Sequence, residues 1–523
     1  MKRTLFIAAL AFSCATTKSA PKEAVKVVPE EVVAPPTSPV PYVSLPAVEP
    51  MKVVLQPVAN KPIVSVRLVF RTGSVDDPKG KEGLTALTTR VLLEGGTKSL
   101  DSAQVLEALY PMAAELNCDT DKEFTTIAGR VHRDRLPRFL EILGEALTAP
   151  RFEAREFERL KAEQVSSLKS RLRQENDEEL SKAALDALLF DGHPYRHAVV
   201  GTEAGLAAIT LDDVKAQWQH TFTRDRLIIG LGGAADEALA TTVKNALSTL
   251  PATGVERAPL PTAKGPMGSG LVVKRATKST AGAFGFVSPL RRGDADFIDL
   301  FIALSYFGEH RQEHGVLFQE VRDRRGLNYG TYAYAQHYRQ DGWNSVPRPN
   351  ILRSQQDVML WLRPVVAANA VFATRAVLFF LEQARTKPIP QERFDTARGF
   401  LGGATRVWTL TDQQRLGWAI DDVLSGTPDF LEAVRQRLAT ITPADAQAVL
   451  KKYVRPELIN YAFVTSDVDA LTTGLTSSQP SPITYPTPKA EDVLADDQRI
   501  STTPIPLAAD RLKSTDASEF LAK

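Results

Sequence analysis

Two cysteines and seven histidines in 523 residues leave little material for metal or redox chemistry. Cys14 and Cys118 exclude a disulfide framework and any cysteine-based zinc cluster. With 63 basic and 62 acidic residues, the formal net charge is +1. No global field therefore argues for nucleic acid or for an acidic substrate. No apolar run reaches the roughly 18 residues that a membrane-crossing helix needs. What is present, 43% hydrophobic and 24% charged residues, is the composition of an ordinary globular protein. The length exceeds what one core supports, so two or more domains are expected.

The N-terminus departs from that average. Lys2 and Arg3 precede an apolar run from Leu5 to Phe12 that ends in Ser13-Cys14. Such a run predicts a secretory signal, too short to span a bilayer. The residues Ala11-Phe12-Ser13-Cys14 resemble a bacterial lipoprotein cleavage site, although Phe12 is unusual there. Lipidation of Cys14 would anchor the chain in the cell envelope, facing the periplasm, with the outer membrane as the expected location. Simple secretion with an incidental cysteine is the alternative. Cys118 reads as a small buried apolar residue.

Composition shifts divide the rest. Residues 1–14 are the signal, and 15–50, rich in proline and valine, form an extended tether. A first domain runs over 51–255, a Pro/Gly-rich linker over 256–270, a second domain over 271–475 and a polar, weakly patterned tail over 476–523. The two domains resemble each other. Both begin with two strands joined by a polar turn, KVVLQPVANKPIVSVRLVF and GLVVKRATKSTAGAFGFV. Both end in ITLDDVKAQWQHTFTRDRLII or ITPADAQAVLKKYVRPELINYAF. In these, Thr210 or Thr442 caps a helix, Asp213 or Asp445 is the reciprocal acid, and an apolar strand follows. The duplication predicts an α+β fold of two tandem homologous domains, each a mainly antiparallel sheet covered by helices.

The strand IVSVRLVF, the loop RTGSVDDPKGKEG and the helix GLTALTTRVLLEGGT form a frame. They resemble the zinc-binding segment of the pitrilysin/insulinase metallopeptidases, in which the helix reads G-L-x-H-x-x-E-H. FEAREFERLKAEQVSSLKSRL and DGHPYRHAVVGTEAGLAAIT continue the match, which spans roughly residues 51–475. The resemblance implies two mitochondrial-processing-peptidase-like domains. It also assigns the zinc ligands and the general base to Ala86, Thr89 and Arg90, and the third ligand to Ser167, or to Leu168 if the helix shifts by one. None of these can do that work. Ala86 has no donor atom, Thr89 is no base near neutral pH, and Arg90 brings a fixed positive charge where the cation belongs. No metal is expected in this chain.

The second half carries LFQEVRDRRGLNY. By resemblance, Arg322 and Tyr329 are the pair that holds substrate and stabilises the developing oxyanion, a role suited to a guanidinium and a phenol. Arg324 and Arg325 read as surface charge. Nearby, His310-Arg311-Gln312-Glu313-His314 spells H-x-x-E-H, and Glu392 follows at a spacing close to that of the family's third ligand. Gly308 and Gly315 flank this motif and favour a loop over a helix. His193 and His197 straddle Pro194 and read as structural.

In the two-chain branch of this family, one subunit carries zinc and the other the Arg/Tyr pair. The resemblance thus implies a non-catalytic subunit that binds peptide and serves a zinc-bearing homologous partner, with zinc in the partner, a membrane link through the N-terminal lipid and no nucleic acid. Two alternatives stand beside it: an active zinc peptidase using His310, His314 and Glu392, and a peptide-binding or scaffolding envelope lipoprotein with no enzymatic partner.

Overall fold

The computed structural model describes residues 43–339 and 344–523. Cys14 and the 1–14 signal lie outside the described residues, as does the tether up to residue 42. In the first half, β1 (Lys52–Pro57), β2 (Ile63–Phe70), β3 (Glu115–Thr120), β4 (Thr125–His132) and β5 (Leu227–Gly233) form one sheet in the order β1-β5-β2-β4-β3. In the second half, β6 (Gly270–Lys274), β7 (Ser279–Val287), β8 (Thr331–Tyr334), β9 (Asp357–Val366) and β10 (Asn460–Thr465) repeat that order as β6-β10-β7-β9-β8. The first and fifth strands run parallel in both sheets, and the other pairs are antiparallel. This is the expected duplicated α+β architecture.

The repeat extends to its caps. Thr210 N–H donates to Asp213 Oδ2 at 2.9 Å, and Asp213 N–H donates to Thr210 Oγ1 at 3.2 Å. Thr442 and Asp445 repeat both bonds at 2.9 and 3.2 Å. Each box starts a helix, Leu211–Thr221 or Pro443–Tyr453, that leads into β5 or β10. Reciprocal capping of this kind satisfies two backbone N–H groups that the first helical turn leaves over.

The halves exchange cover. Helix Asp177–Leu189 of the first half packs on β6, β7 and β10, while helix Asp412–Ser425 of the second half packs on β1, β2 and β5. Leu180, Leu185 and Leu189 share an apolar cluster with Val273, Trp361 and Val464. Ile420 and Leu424 pack with Val54, Val69 and Ile228. That reciprocity explains why β2 is buried on both faces, including Ser65 and Arg67, although its sequence alternates like a half-exposed strand. Each leucine-sized side chain buried this way contributes about 1.5–3 kcal/mol. A chain containing only residues 51–255 is therefore expected to lack a cooperative thermal transition in near-UV circular dichroism. A sharp transition would show that each half stands alone.

The tail holds more order than its patterning announced. It contains helix Glu491–Ser501 and a sixth strand, β11 (Leu512–Asp516), parallel to β6 from Leu512↔Gly270 to Asp516↔Lys274. At the other end, the stretch read as tether is already fastened before residue 50. Arg291 Nη1 donates to the carbonyls of Val43 (2.8 Å) and Ser44 (3.3 Å), and Leu45 and Val48 join the Ile420 cluster. No helix among the described residues is long and apolar enough to cross a membrane.

Candidate functional site

The helix that carries the degenerate motif, Leu84–Glu94, starts at Gly83, whose φ of 102° and 2.8 Å Cβ clearance to the Val200 carbonyl both demand glycine. Asp77 caps it. Its carboxylate accepts from Gly83 N–H, Thr85 N–H and the Thr85 hydroxyl, each at 2.7 Å. Burial nonetheless pushes its pKa up to about 7. Leu84, Leu87 and Val91 form an apolar stripe that packs on Phe157, Leu160, Leu168, Leu206 and Val214.

The opposite face no longer has metal-site chemistry. Ala86 is half-buried. Thr89 is buried, donates to the Thr85 carbonyl at 2.8 Å and lies 3.1 Å from the Thr120 hydroxyl. Arg90 makes a fork of two 2.9 Å bonds to Glu94, and also donates to Glu163 at 2.6 Å and to the Leu160 carbonyl at 3.3 Å. Glu163 in turn accepts from Arg159 at 2.7 Å. Partial burial opposes the Arg90 charge, but hydrogen bonds to Glu94 and Glu163 outweigh it and raise the guanidinium pKa. The same bond from Arg90 is the largest influence holding Glu163 below the ordinary carboxylate range.

Ser167 is half-buried at the start of the widened helical turn Ser167–Glu175, and Leu168 is fully buried in the core. Neither side chain offers a carboxylate to a metal. The carboxylate that reaches Arg90 is Glu163, one helical turn earlier, and the sequence reading missed it. Glu163 shares a helix face with Ser167, and that is the signal that could have found it.

In the second half, Arg322 is over one-third exposed. It stacks 4.4 Å from the Phe318 ring and donates to Asp323 at 3.0 Å. Tyr329 is 79% exposed, at the tip of a turn held by Asn328, whose amide donates to Thr331 Oγ1 (3.1 Å) and to the Arg363 carbonyl (3.0 Å). Among the described residues, no hydrogen bond, ion pair or ring contact joins this pair to helix Leu84–Glu94. Arg325 differs from the surface charge expected of it, whereas the Arg324 side chain stays about one-third exposed. Arg324 pairs with Glu320 and with Asp492 of the tail, and the side chain of Arg325 is fully buried between Glu320 (3.1 Å) and Asp497 (2.8 Å) of the tail.

The H-x-x-E-H decoy is dispersed. Residues 309–314 follow helix Phe297–Gly308 as a loop. His310 is 2% exposed; it stacks on Trp361 and lies 2.7 Å from the Tyr334 hydroxyl. His314 packs on the Phe400 ring, and Glu392 is exposed in the first turn of helix Gln391–Val407. Burial lowers the pKa of His310 to about 3 and that of His314 to about 4. His193 Nδ1 accepts from Tyr195 N–H at 3.0 Å and His197 Nε2 lies 3.1 Å from the Ser74 carbonyl, and burial lowers the pKa of each to about 4. Among the described residues, no three His, Cys, Asp or Glu side chains come together as a metal-binding group. The donor set therefore does not fit zinc at either position. Cys118 is half-buried on β3, its thiol pushed up to about 12 by burial.

Residues 52–203 match the profile of the insulinase family, peptidase family M16, and residues 208–347 match that of the peptidase M16 inactive domain. The chain belongs to the insulinase family. A Helicobacter pylori protein named non-peptidase homolog YmxG is 24% identical over 414 residues, covering 77% of this chain and 89% of its own. An uncharacterized zinc protease YmxG from Bacillus subtilis is 22% identical over 283 residues, covering 53% of this chain and 66% of its own. The crystal structure of a peptidase M16 inactive domain from Pseudomonas fluorescens superposes with a TM-score of 0.71 at 20% identity. It covers 82% of this chain and 98% of that one. The likeness shows the fold. Within the insulinase family, this chain is a peptidase homologue similar to proteins named as inactive or non-peptidase members.

Proposed function

We propose that this chain is the non-catalytic subunit of a zinc endopeptidase. It binds peptide and lends Arg322 and Tyr329 to the active site of a zinc-bearing homologue. The observation that carries the reading is the Arg90 guanidinium held by Glu94 and Glu163 on the helix that bears zinc in the family. It supplies the positive charge itself, so the helix keeps its packing without a metal. Two further features support the reading. Tyr329 is exposed and Arg322 half-buried beside it, so both can be reached by a second chain. Strand β3 is a sheet edge, and β4 is its only ladder partner among the described residues, so an extended peptide has a row of backbone groups to pair with.

Purified alone, the protein is expected to hold no stoichiometric zinc and to cleave no peptide. One tightly held zinc per chain by metal analysis would overturn the reading. Mixed with a zinc-motif homologue from the same cell, it should form an active complex. Arg322→Ala and Tyr329→Phe should each lower the turnover of that complex by about 10²-fold, the usual loss when one oxyanion donor is removed, without weakening assembly. Unchanged rates would make the pair structural. The reading also places the protein at the cell envelope through Cys14. Palmitate labelling of cells should mark the chain and be lost in Cys14→Ser; a label that persists would refute the anchor.

A further inference from the structure

Arg322 sits in a second widened helical turn, Phe318–Asp323, after which Arg324 N–H reaches back five residues to the Gln319 carbonyl at 2.9 Å. Such turns are rare, occur mostly singly and recur at functional sites. The groups that hold this one come from the tail. Arg325 Nη1 donates to the Glu320 carbonyl at 2.8 Å, inside the turn, and to the Glu320 carboxylate at 3.1 Å. Its Nε donates to Asp497 Oδ1 at 2.8 Å, and the Tyr485 hydroxyl donates to Asp497 Oδ2 at 2.8 Å. Arg325 and Asp497 are both buried, so these bonds form away from water, where a charged hydrogen bond is at its strongest. The neighbouring Arg324 pairs with Asp492, earlier on the same helix, Glu491–Ser501.

The segment that supplies both acids is itself pinned on either side. Arg375, on helix Ala370–Thr386, donates to the carbonyls of Ser477 and Gln479 at 2.9 Å and to the Ser481 hydroxyl at 3.1 Å. It also donates to the Ser501 carbonyl, where the tail helix ends. Further on, β11 lies along β6, and the carbonyls of Leu521 and Ala522 accept from Glu203 N–H at 2.9 Å and Ala204 N–H at 3.0 Å. A helix fixed at both ends cannot follow a loosening turn, so Asp497 restrains Arg325 instead of moving with it. The Tyr329 turn is held separately, by the bonds of Asn328 to Thr331 and to the Arg363 carbonyl.

We propose that Asp497 is a positioning residue for Arg322: through Arg325 it fixes the turn from which the Arg322 guanidinium reaches the substrate. What Arg322 does there rests on the partner-subunit reading; how it is held does not.

Hydrogen exchange of the whole chain, without a partner, tests the hold. Asp497→Asn keeps the shape and removes the charge. It should speed exchange of the amides of residues 318–326 by about tenfold or more, the factor that one charge-assisted hydrogen bond supplies. Helix Leu84–Glu94 and β8 should exchange as before. Tyr485→Phe keeps its half-buried ring, so that variant folds; it should give a smaller rise in the same segment and decides the matter if Asp497→Asn does not fold. Unchanged exchange at 318–326, or a rise spread over the whole chain, overturns the proposal. In the active complex with a zinc-motif homologue, Asp497→Asn should lower turnover about tenfold, yet lower it no further when Arg322 is already alanine. A residue that acts only through Arg322 then has nothing left to act on. Losses that multiply would assign Asp497 to general stability and overturn its positioning role. If exchange rises as expected while neither Asp497→Asn nor Arg322→Ala changes turnover, the hold on the turn stands and the partner-subunit reading fails.

Discussion

Arg353→Met should cost about 3–5 kcal/mol of stability, the usual loss when one partner of a buried ion pair is removed and the other is left behind. The Arg353 side chain is 1% exposed. It donates from Nη1 and Nη2 to the two oxygens of Asp186 and from Nη1 to Asp357, all at 3.2 Å. Asp186 sits on the helix that the first half lends to the second sheet, while Asp357 opens β9. The guanidinium thus joins the halves at the place where they exchange cover. Without it, Lys122, 3.6 Å from Asp186, is the nearest remaining cation. Burial already holds Asp357 above the ordinary carboxylate range, and it would rise further in the variant. Adding Asp357→Asn to Arg353→Met should therefore recover part of the loss, because one buried charge disappears. Denaturant unfolding of the single and double variants measures this. A single-variant loss under about 1 kcal/mol would mean that the pair is solvated in a way its burial does not suggest.

Much of the scaffold was legible because it is written in local rules that occur twice. A capping box needs only Thr and Asp three apart, and the strands that follow it are apolar runs. That Ala86, Thr89 and Arg90 are not zinc ligands is a statement about residue type alone. What could not be read depends on distant partners. R-D-R-R looks like a solvated helix face, yet Arg325 is buried because Glu320 and the tail residue Asp497 close over it. The five residues LKSTD of β11 show no apolar alternation because the strand lies at an edge and its side chains stay largely exposed. Arg90 found Glu163 and not residue 167 because an arginine reaches farther than an imidazole and takes the carboxylate on offer. The double burial of β2 was hidden for a topological reason: the helix that covers its second face arrives from the other domain.

His310 gives the last prediction. It lies in a stack of Tyr332, Tyr338 and Trp361 with Tyr334 at hydrogen-bond distance, where no water can solvate a charged ring. Burial first, then the positive charges of Arg311, Lys182 and Arg363, lower its pKa to about 3. In the unfolded chain the ring titrates at its ordinary value of about 6.5. The folded pKa is therefore depressed, so the contribution is fully present above pH 6.5 and is lost as pH falls towards 3. Between pH 7 and pH 5 the loss from this one ring is about 2 kcal/mol. Asp77 works in the opposite direction. Its pKa is raised to about 7, so folding favours its protonated form and acidification strengthens the native state. His193, His197 and His314 add to the loss in the same sense as His310, while Asp422, raised by burial to about 6, acts with Asp77. The balance is a protein less stable at pH 5 than at pH 7. His310→Phe keeps a ring in the stack and removes only the titration. Losing the contact to Tyr334 costs the variant the same at every pH. Guanidinium unfolding at the two pH values should show the difference between them shrinking by about 2 kcal/mol in His310→Phe. An unchanged difference would place the charged ring in contact with water or an acid and overturn the assignment of His310 to the dry core.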